Sequence, residues 1–294
     1  MSNVKATVGR FEPRRTTRYT IGQVFRTIFL LATCVGIAAL LVLLLDVLNE
    51  GATHLSWDFI RSYPSRFADR AGIWAALIGS IWVLSLTALF SFPLGIATAI
   101  WLEEYAPNSW LTRTIQMNIA NLAAVPSIVY GILGLAVFVR WLEMGRSVLA
   151  GSLTLTLLIL PVMIIAGQEA IRAVPTSIRL GSYALGATRW QTVRRQVLPM
   201  AMPGILTGTI LALSRAVGET APLIIIGALA FVPFVPDGPL DSFTVLPIQI
   251  FNWISRPQPE FHAIAAAGIL VLLAVLLTFN LIAVLLRNRY SKKL

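Results

Sequence analysis

The chain has 294 residues, of which 57% are hydrophobic and 12% are charged, and its formal net charge is +10. Soluble domains carry about 25% charged residues, so this composition excludes an ordinary soluble protein and indicates a membrane protein. The positive charge does not indicate nucleic-acid binding, because it is concentrated in segments that flank apolar runs and no basic-aromatic module accompanies it.

Six apolar runs of 20 to 29 residues follow one another along the chain. They are residues 28–48, 73–101, 116–139, 148–167, 204–230 and 263–286. Each run is long enough to cross the ~30 Å hydrocarbon core of a bilayer as a helix, which takes roughly 20 residues. Strands of a membrane barrel are shorter and alternate in polarity. The sequence therefore predicts an all-α integral membrane protein with six transmembrane helices.

Basic residues are distributed unequally between the two sides of this membrane domain, residues 28–286. Sixteen Lys and Arg residues lie in segments 1–27, 102–115, 168–203 and 287–294, whereas the loops on the opposite side hold six. Basic residues accumulate in the cytoplasm, so both termini are predicted to be cytoplasmic. The first apolar run is longer than a signal-peptide core and lacks a cleavage site, so it is interpreted as a retained span.

Three connecting segments carry specific expectations. The external segment 49–72 is predicted to contain a short interfacial helix that begins near Ser56. Glu103 and Glu104 begin a cytoplasmic loop and are predicted to be solvated. The external segment 232–262 contains six prolines, a density that excludes a continuous helix and predicts an irregular loop.

The third apolar run contains a proline. Pro126 is predicted to kink this helix, and Gly131 and Gly134 are predicted to allow close contact with a neighbouring helix. The two histidines stand far apart and the single cysteine lies within the first run, so neither a metal site nor a disulfide is predicted.

The loop at 168–203 is too long to be structureless in a compact protein, and its sequence supplies two helices. The first is predicted to run from just after Pro175 to Leu185. Gly186 then provides the left-handed residue that commonly follows a helix.

The second helix of this hairpin is predicted to begin at Thr188. Thr188 and Gln191 have the spacing of a capping box. The helix is predicted to end at Leu198–Pro199, because a residue before proline is disfavoured in the helical conformation. The mostly small residues 184–187 between the two helices would let another protein surface approach the backbone. On the residues alone, an ordinary cytoplasmic hairpin is the alternative.

The run EAIRAVPTSIRLGSYALGATRWQTVRRQVLP resembles the "EAA" loop of ABC importer permeases. Aligned on Gly186, it also matches that motif at Leu198 and Pro199. It departs from the motif at the leading triplet, which reads LGS at 180–182, and at Gln196, where the motif has isoleucine.

Three further segments narrow the resemblance. SRAVGETAPL (214–223), LPIQIFNW (246–253) and LRNRY (286–290) are similar to the PstA family of phosphate importer permeases. The resemblance covers nearly the whole chain from the first span onward. It implies the type I ABC importer permease fold, in the cytoplasmic (inner) membrane.

The resemblance also implies partners. They are a homologous second permease subunit, two copies of a cytoplasmic ATPase that carry ATP and Mg, and an external phosphate-binding protein. The 168–203 hairpin would dock on the ATPase as a coupling hairpin. The residues implied for this coupling are Ala184, Leu185, Gly186, Ala187, Thr188, Leu198 and Pro199.

The chain itself carries no signature of ATP chemistry. It contains no Gly-Lys pair and hence no phosphate-binding loop of the P-loop kind. A nucleophile, base and orienting acid are also not recognisable. No cofactor and no enzymatic activity are predicted for this chain.

The fifth apolar run, 204–230, contains Arg215 and Glu219. Its eleven Leu, Ile and Val residues supply about −5.5 kcal/mol on an insertion scale, at roughly −0.5 kcal/mol each. An arginine near the middle costs about +3 kcal/mol and the glutamate is expected to cost a similar amount, so the charges roughly cancel that gain. The charged face is therefore predicted to point toward protein or a water-filled path.

The residues around this pair suggest how it is used. Pro222 has no N–H to bond the carbonyl of Gly218, so a kink is predicted there, beside Glu219. One hypothesis is that Arg215 faces the translocation path and transiently attracts phosphate, while Glu219 orients it and limits anion affinity. The alternative is a structural ion pair that bridges two helices.

Four functions remain open at this point. They are ATP-driven phosphate import, import of another oxyanion such as molybdate, sulfate or phosphonate, an ion-coupled carrier, and a membrane anchor or sensor. The EAA-like loop argues against a carrier, which has no ATPase to dock. An anchor would leave the two midspan charges unexplained.

Overall fold

The computed structural model describes residues 15–228 and 231–291, and all regular elements in these ranges are helical. The chain forms two compact units, one that ends at Asn49 and one that begins at Glu50. The described part of the first unit is the long helix α1 (Arg15–Ala52), whose last three residues already belong to the second unit. Most of the predicted basic N-terminal segment and the last three residues lie outside the described ranges.

The second unit contains eleven α-helices among its described residues. They are α2 (Trp57–Arg61), α3 (Trp74–Ile100), α4 (Trp110–Ala123), α5 (Ser127–Gly134), α6 (Val148–Arg172), α7 (Thr176–Ala184), α8 (Arg189–Thr192), α9 (Leu198–Val217), α10 (Ala221–Ile226), α11 (Leu246–Ile254) and α12 (Pro259–Ser291). Three π-helical stretches continue α3, α5 and α8; they are Trp101–Tyr105, Leu135–Trp141 and Val193–Val197. A 3₁₀ turn covers Ala68–Arg70.

Five helical segments are long and apolar enough to cross a membrane, and α4 with α5 supplies a sixth if this bent pair counts as one span. The five are Tyr19–Ala52, Trp74–Tyr105, Val148–Arg172, Arg189–Val217 and Pro259–Arg289. The predicted all-α membrane fold is confirmed.

The third span is interrupted rather than kinked. The segments on either side of the break meet at 102°. The chain leaves the helical conformation at Pro126, where ψ is 138°, because a proline provides no N–H to continue the preceding helix. The Tyr130 hydroxyl donates to the carbonyl of Leu122 at 2.8 Å and so satisfies an acceptor in the last turn of α4.

The fifth span differs from its prediction at both ends. The hairpin's second helix does not stop at Pro199, since Leu198 is helical and the helix continues into α9. The N–H of Leu198 bonds the carbonyl of Val193, and this wider π turn makes room for the proline ring within the helix. At its other end α9 stops at Val217, so a continuous helix over 204–230 is not observed.

Helix α6 packs against both α3 and α9 through small residues. A Cβ built at Gly167 would lie 2.8 Å from the Cβ of Ala99 on α3, and one built at Gly204 on α9 would lie 2.8 Å from the Cβ of Ala170. Small residues let membrane helices approach closely, so van der Waals contact holds these helices together.

The proline-rich segment 232–262 is not wholly irregular. It contains α11, whose Leu246, Gln249 and Trp253 are almost fully buried against α3 and α12. Pro247 lies in the first turn of α11, where a missing N–H costs no helical bond. The predicted helix near Ser56 is confirmed as α2, and the Ser56 hydroxyl accepts from its first turn.

Candidate functional site: a break between two spans and a helical hairpin

The charged pair lies where α9 ends. Arg215 Nε donates to Glu219 Oε1 at 3.2 Å, with the Arg215 side chain 50% exposed and that of Glu219 16% exposed. Gly218 caps α9, and Glu219 lies in the non-helical link that follows. In a continuous helix, the i, i+4 spacing would place both side chains on one face. Here it connects the last turn of α9 to the non-helical link that follows.

Pro222 begins a new helix instead of kinking an existing one. It lies in the first turn of α10, where its missing N–H is no loss and its fixed φ suits a helix start. The kink predicted at Gly218 and Pro222 is therefore wrong in form, because the helix is fully interrupted between Val217 and Ala221. Helix α10 ends at Ile226 and is capped by Gly227, whose φ is +89°.

The two interrupted spans contact each other. Helices α5 and α10 pack together, and a Cβ built at Gly131 would lie 2.7 Å from Pro222 Cα. Val125, at the first break, packs against the core cluster that contains Val217 and Leu223. The predicted close contact at Gly131 is confirmed. Irregular backbone at membrane depth is tolerated where it is buried in protein or lines a cavity.

The hairpin turn between α7 and α8 closely follows its local sequence signals. Helix α7 ends at Ala184, and Gly186 has a φ of +79°. Thr188 caps α8 in the predicted capping box, in which its N–H donates to Gln191 Oε1 at 2.8 Å. Leu185 at the tip is 91% exposed, which leaves a large apolar side chain available to a partner.

A cleft of about 520 Å³ separates the two sides of this hairpin. Leu185, Gly186 and Ala187 line it together with Gln191 and Arg195. Five of the seven residues predicted for ATPase coupling form this turn. The other two, the Leu-Pro pair at the start of α9, lie farther along the helix and do not line the cleft.

Sequence reasoning missed two acidic residues next to this hairpin. Glu104 is 4% exposed and forms an ion pair of 2.8 Å with Arg179. Glu103 forms an ion pair of 2.6 Å with Arg172. The prediction that both are solvated is wrong, because the side chains of Glu103 and Glu104 are only 15% and 5% exposed. Each charge is instead compensated by an arginine, as a buried charge requires. The sequence did carry a signal for these contacts. Two acids follow the second apolar run, whereas the segment 168–203 holds five arginines, so the two segments have complementary charge.

The all-helical membrane fold is that of the type I ABC importer permeases. The family model described as "Binding-protein-dependent transport system inner membrane component" matches residues 91–292, and the chain belongs to this family. A crystal structure of a bacterial alginate ABC transporter has the same fold, with a TM-score of 0.65 and 16% identity over 91% of this chain and 94% of that chain.

Two sequence relatives cover most of the chain. One is the "Probable ABC transporter permease protein YqgI" of Bacillus subtilis, 38% identical over 88% of this chain and 92% of its own length. The other is the "Phosphate transport system permease protein PstA 1" of Mycobacterium tuberculosis, 33% identical over 94% of this chain and 92% of its own. The chain is thus a membrane-spanning permease component, in a family whose members are not themselves enzymes.

Proposed function

We propose that this chain forms the membrane path of an ATP-driven importer of inorganic phosphate, together with a homologous second permease subunit. An external binding protein would deliver the anion and two copies of a partner ATPase would drive transport. Relatives named as phosphate permeases support the substrate. The observation that carries the proposal is the half-exposed Arg215 at the junction of two interrupted spans.

Arg215 has the donors that a phosphate ion needs. Its hydrogen bond to Glu219 uses Nε, and no hydrogen bond joins its two Nη groups to another described residue. A guanidinium stays charged and can bind two phosphate oxygens in a fork. Glu219 repels the same anion, so phosphate is held weakly enough to leave, as conduction requires.

The hairpin provides the contact with the ATPase in this proposal. Leu185 inserts into a groove of the partner, and the turn residues 184–187 let the two backbones approach. Because α8 runs without a stop into α9, displacement of the hairpin moves the helix that ends beside Arg215. ATP hydrolysis would thereby open and close the path.

The test of the path is Arg215→Gln in the complete complex, reconstituted in vesicles. We expect at least a tenfold loss of ATP-dependent phosphate uptake with normal assembly, because the neutral amide cannot hold the anion. Arg113→Gln, an exposed arginine of α4, is the matched control and should transport normally. Loss of assembly in Arg215→Gln would instead favour a structural ion pair.

Competition experiments test the substrate. Unlabelled phosphate should suppress labelled phosphate uptake at far lower concentration than sulfate, molybdate or phosphonate. Stronger competition by one of these would assign the path to that oxyanion. Uptake without ATP and the ATPase would favour an ion-coupled carrier.

A further inference from the structure

The π-helical turn Trp101–Tyr105, which continues α3, presents three consecutive side chains to three other helices. Glu103 pairs with α6, Glu104 with α7 and Tyr105 with α8. The N–H of Ala106 bonds the carbonyl of Trp101 at 2.7 Å, which closes the wide turn. Such π turns are rare and are frequent at functional sites.

The central contact is a buried ion pair. The side chains of Arg179 and Glu104 are 17% and 5% exposed, and Arg179 donates to Glu104 Oε1 from both Nε at 3.0 Å and Nη2 at 2.8 Å. Arg179 also donates to the carbonyls of Val174 at 2.7 Å and Ile171 at 2.9 Å. One guanidinium therefore ties α7 to the turn that continues α3, to the last turn of α6 and to the link between α6 and α7.

Two flanking contacts complete the connection. Glu103 accepts from Arg172 at 2.6 Å and from Gln168 at 3.1 Å, both on α6. The guanidinium of Arg189, the first residue of α8, lies 5.2 Å from the ring centroid of Tyr105. The two helices of the hairpin are thus both held to the same turn.

These contacts matter because of how the chain is connected. Helix α7 follows α6 directly and α8 runs into α9, so the hairpin moves those spans through the covalent backbone. Helix α3 lies far earlier in the chain and has no such connection. Its link to the hairpin runs through side chains, and the buried charges of Glu104 and Arg179 cannot separate without each losing its partner.

We infer that the turn Trp101–Tyr105 is the joint through which the hairpin moves α3, with Glu104 and Arg179 as positioning residues for coupling. This inference rests on the proposed function, in which the hairpin docks on an ATPase. Displacement of α7 then pulls the end of α3 as a rigid extension of the hairpin. Through this joint the hairpin moves α3 together with α6 and α9, the helices against which α3 packs.

The test compares Glu104→Gln with Glu169→Gln in the complete complex in vesicles. Glu169 is a matched control, because it is also an acid paired with an arginine but its side chain is 65% exposed. The readout is the ratio of phosphate taken up to ATP hydrolysed, measured on assembled complexes. A merely structural role would leave this ratio unchanged. We expect Glu104→Gln to lower this ratio at least fivefold while ATP hydrolysis persists, and Glu169→Gln to keep it.

A second variant covers the case in which Glu104→Gln does not assemble. Tyr105→Leu removes the ring beneath Arg189 without leaving an unpaired buried charge, and it should lower the ratio at least twofold. An unchanged ratio in whichever variant assembles overturns the inference while leaving the proposed function intact. Wild-type vesicles that take up no phosphate with ATP would contradict the proposed function and the inference with it.

Discussion

At the scale of single residues, an ion pair and a glycine lie where the two interrupted spans meet. The partial burial of Glu219 and the half exposure of Arg215 mean that the pair is neither a lipid-facing defect nor a closed core bridge. The absence of a Cβ at Gly131 lets α5 lie against the backbone of Pro222. The two interrupted spans are thus held together by a contact that a larger side chain at Gly131 would prevent.

We predict that Gly131→Ala destabilises the protein by about 1–3 kcal/mol, the range for overpacking a tight site. The added methyl group would lie 2.7 Å from the Cα of Pro222, so the backbone must shift. Thermal unfolding of the purified permease in detergent measures the effect. Gly181→Ala is the control, since open space surrounds that helical glycine, and it should leave stability unchanged or slightly raised. Equal unfolding of both variants would contradict the packing argument.

At the scale of elements, the hairpin is a self-contained unit. The capping box of Thr188 and the left-handed Gly186 satisfy the backbone of the turn locally, and Ser182 and Thr192 share a hydrogen bond of 2.8 Å between the two helices. The exposed Leu185 therefore does not support the hairpin's own structure. An apolar residue held at the tip of a stable turn suits docking into a partner's groove.

We predict that Leu185→Asp abolishes co-purification of the ATPase while the permease remains folded. A charged residue in a desolvated groove is unfavourable by several kcal/mol. Leu240→Asp is the matched control, since Leu240 is 64% exposed and lies outside the hairpin, and it should retain the ATPase. Retention of the ATPase by Leu185→Asp would show that docking does not use the tip.

At the scale of the whole molecule, the membrane spans and their buried helix α11 form one packed assembly beyond residue 50. Helix α6 contacts α3, α5 and α9, so the interrupted spans are supported by a continuous one. The hairpin lies next to the C-terminal ends of α3 and α6, and α11 packs against α3 and α12. Motion at the hairpin thus has a physical route to the spans.

The charge distribution predicts which side of the membrane each loop faces. In a Cys34→Ser background, we expect a cysteine at Thr188 to react with a membrane-impermeant maleimide only in inside-out vesicles. A cysteine at Asp237 should react from the outside of intact cells. Both positions are exposed in this chain, so in vesicles that contain the permease without its ATPase, access is decided by sidedness. Labelling of both from the same side would contradict the predicted topology.

Local features were determined by the sequence itself. Six apolar stretches follow from composition over contiguous residues, and the hairpin turn follows from Thr188, Gln191 and Gly186, whose capping bonds span a few positions. Tertiary structure alone decided that the third span breaks at Pro126 and that α9 ends at Val217. It also decided that Glu104 is buried against Arg179, a partner 75 positions away. The physical reason is that packing across the fold selects between a kink and a break, and between a solvated acid and a paired one.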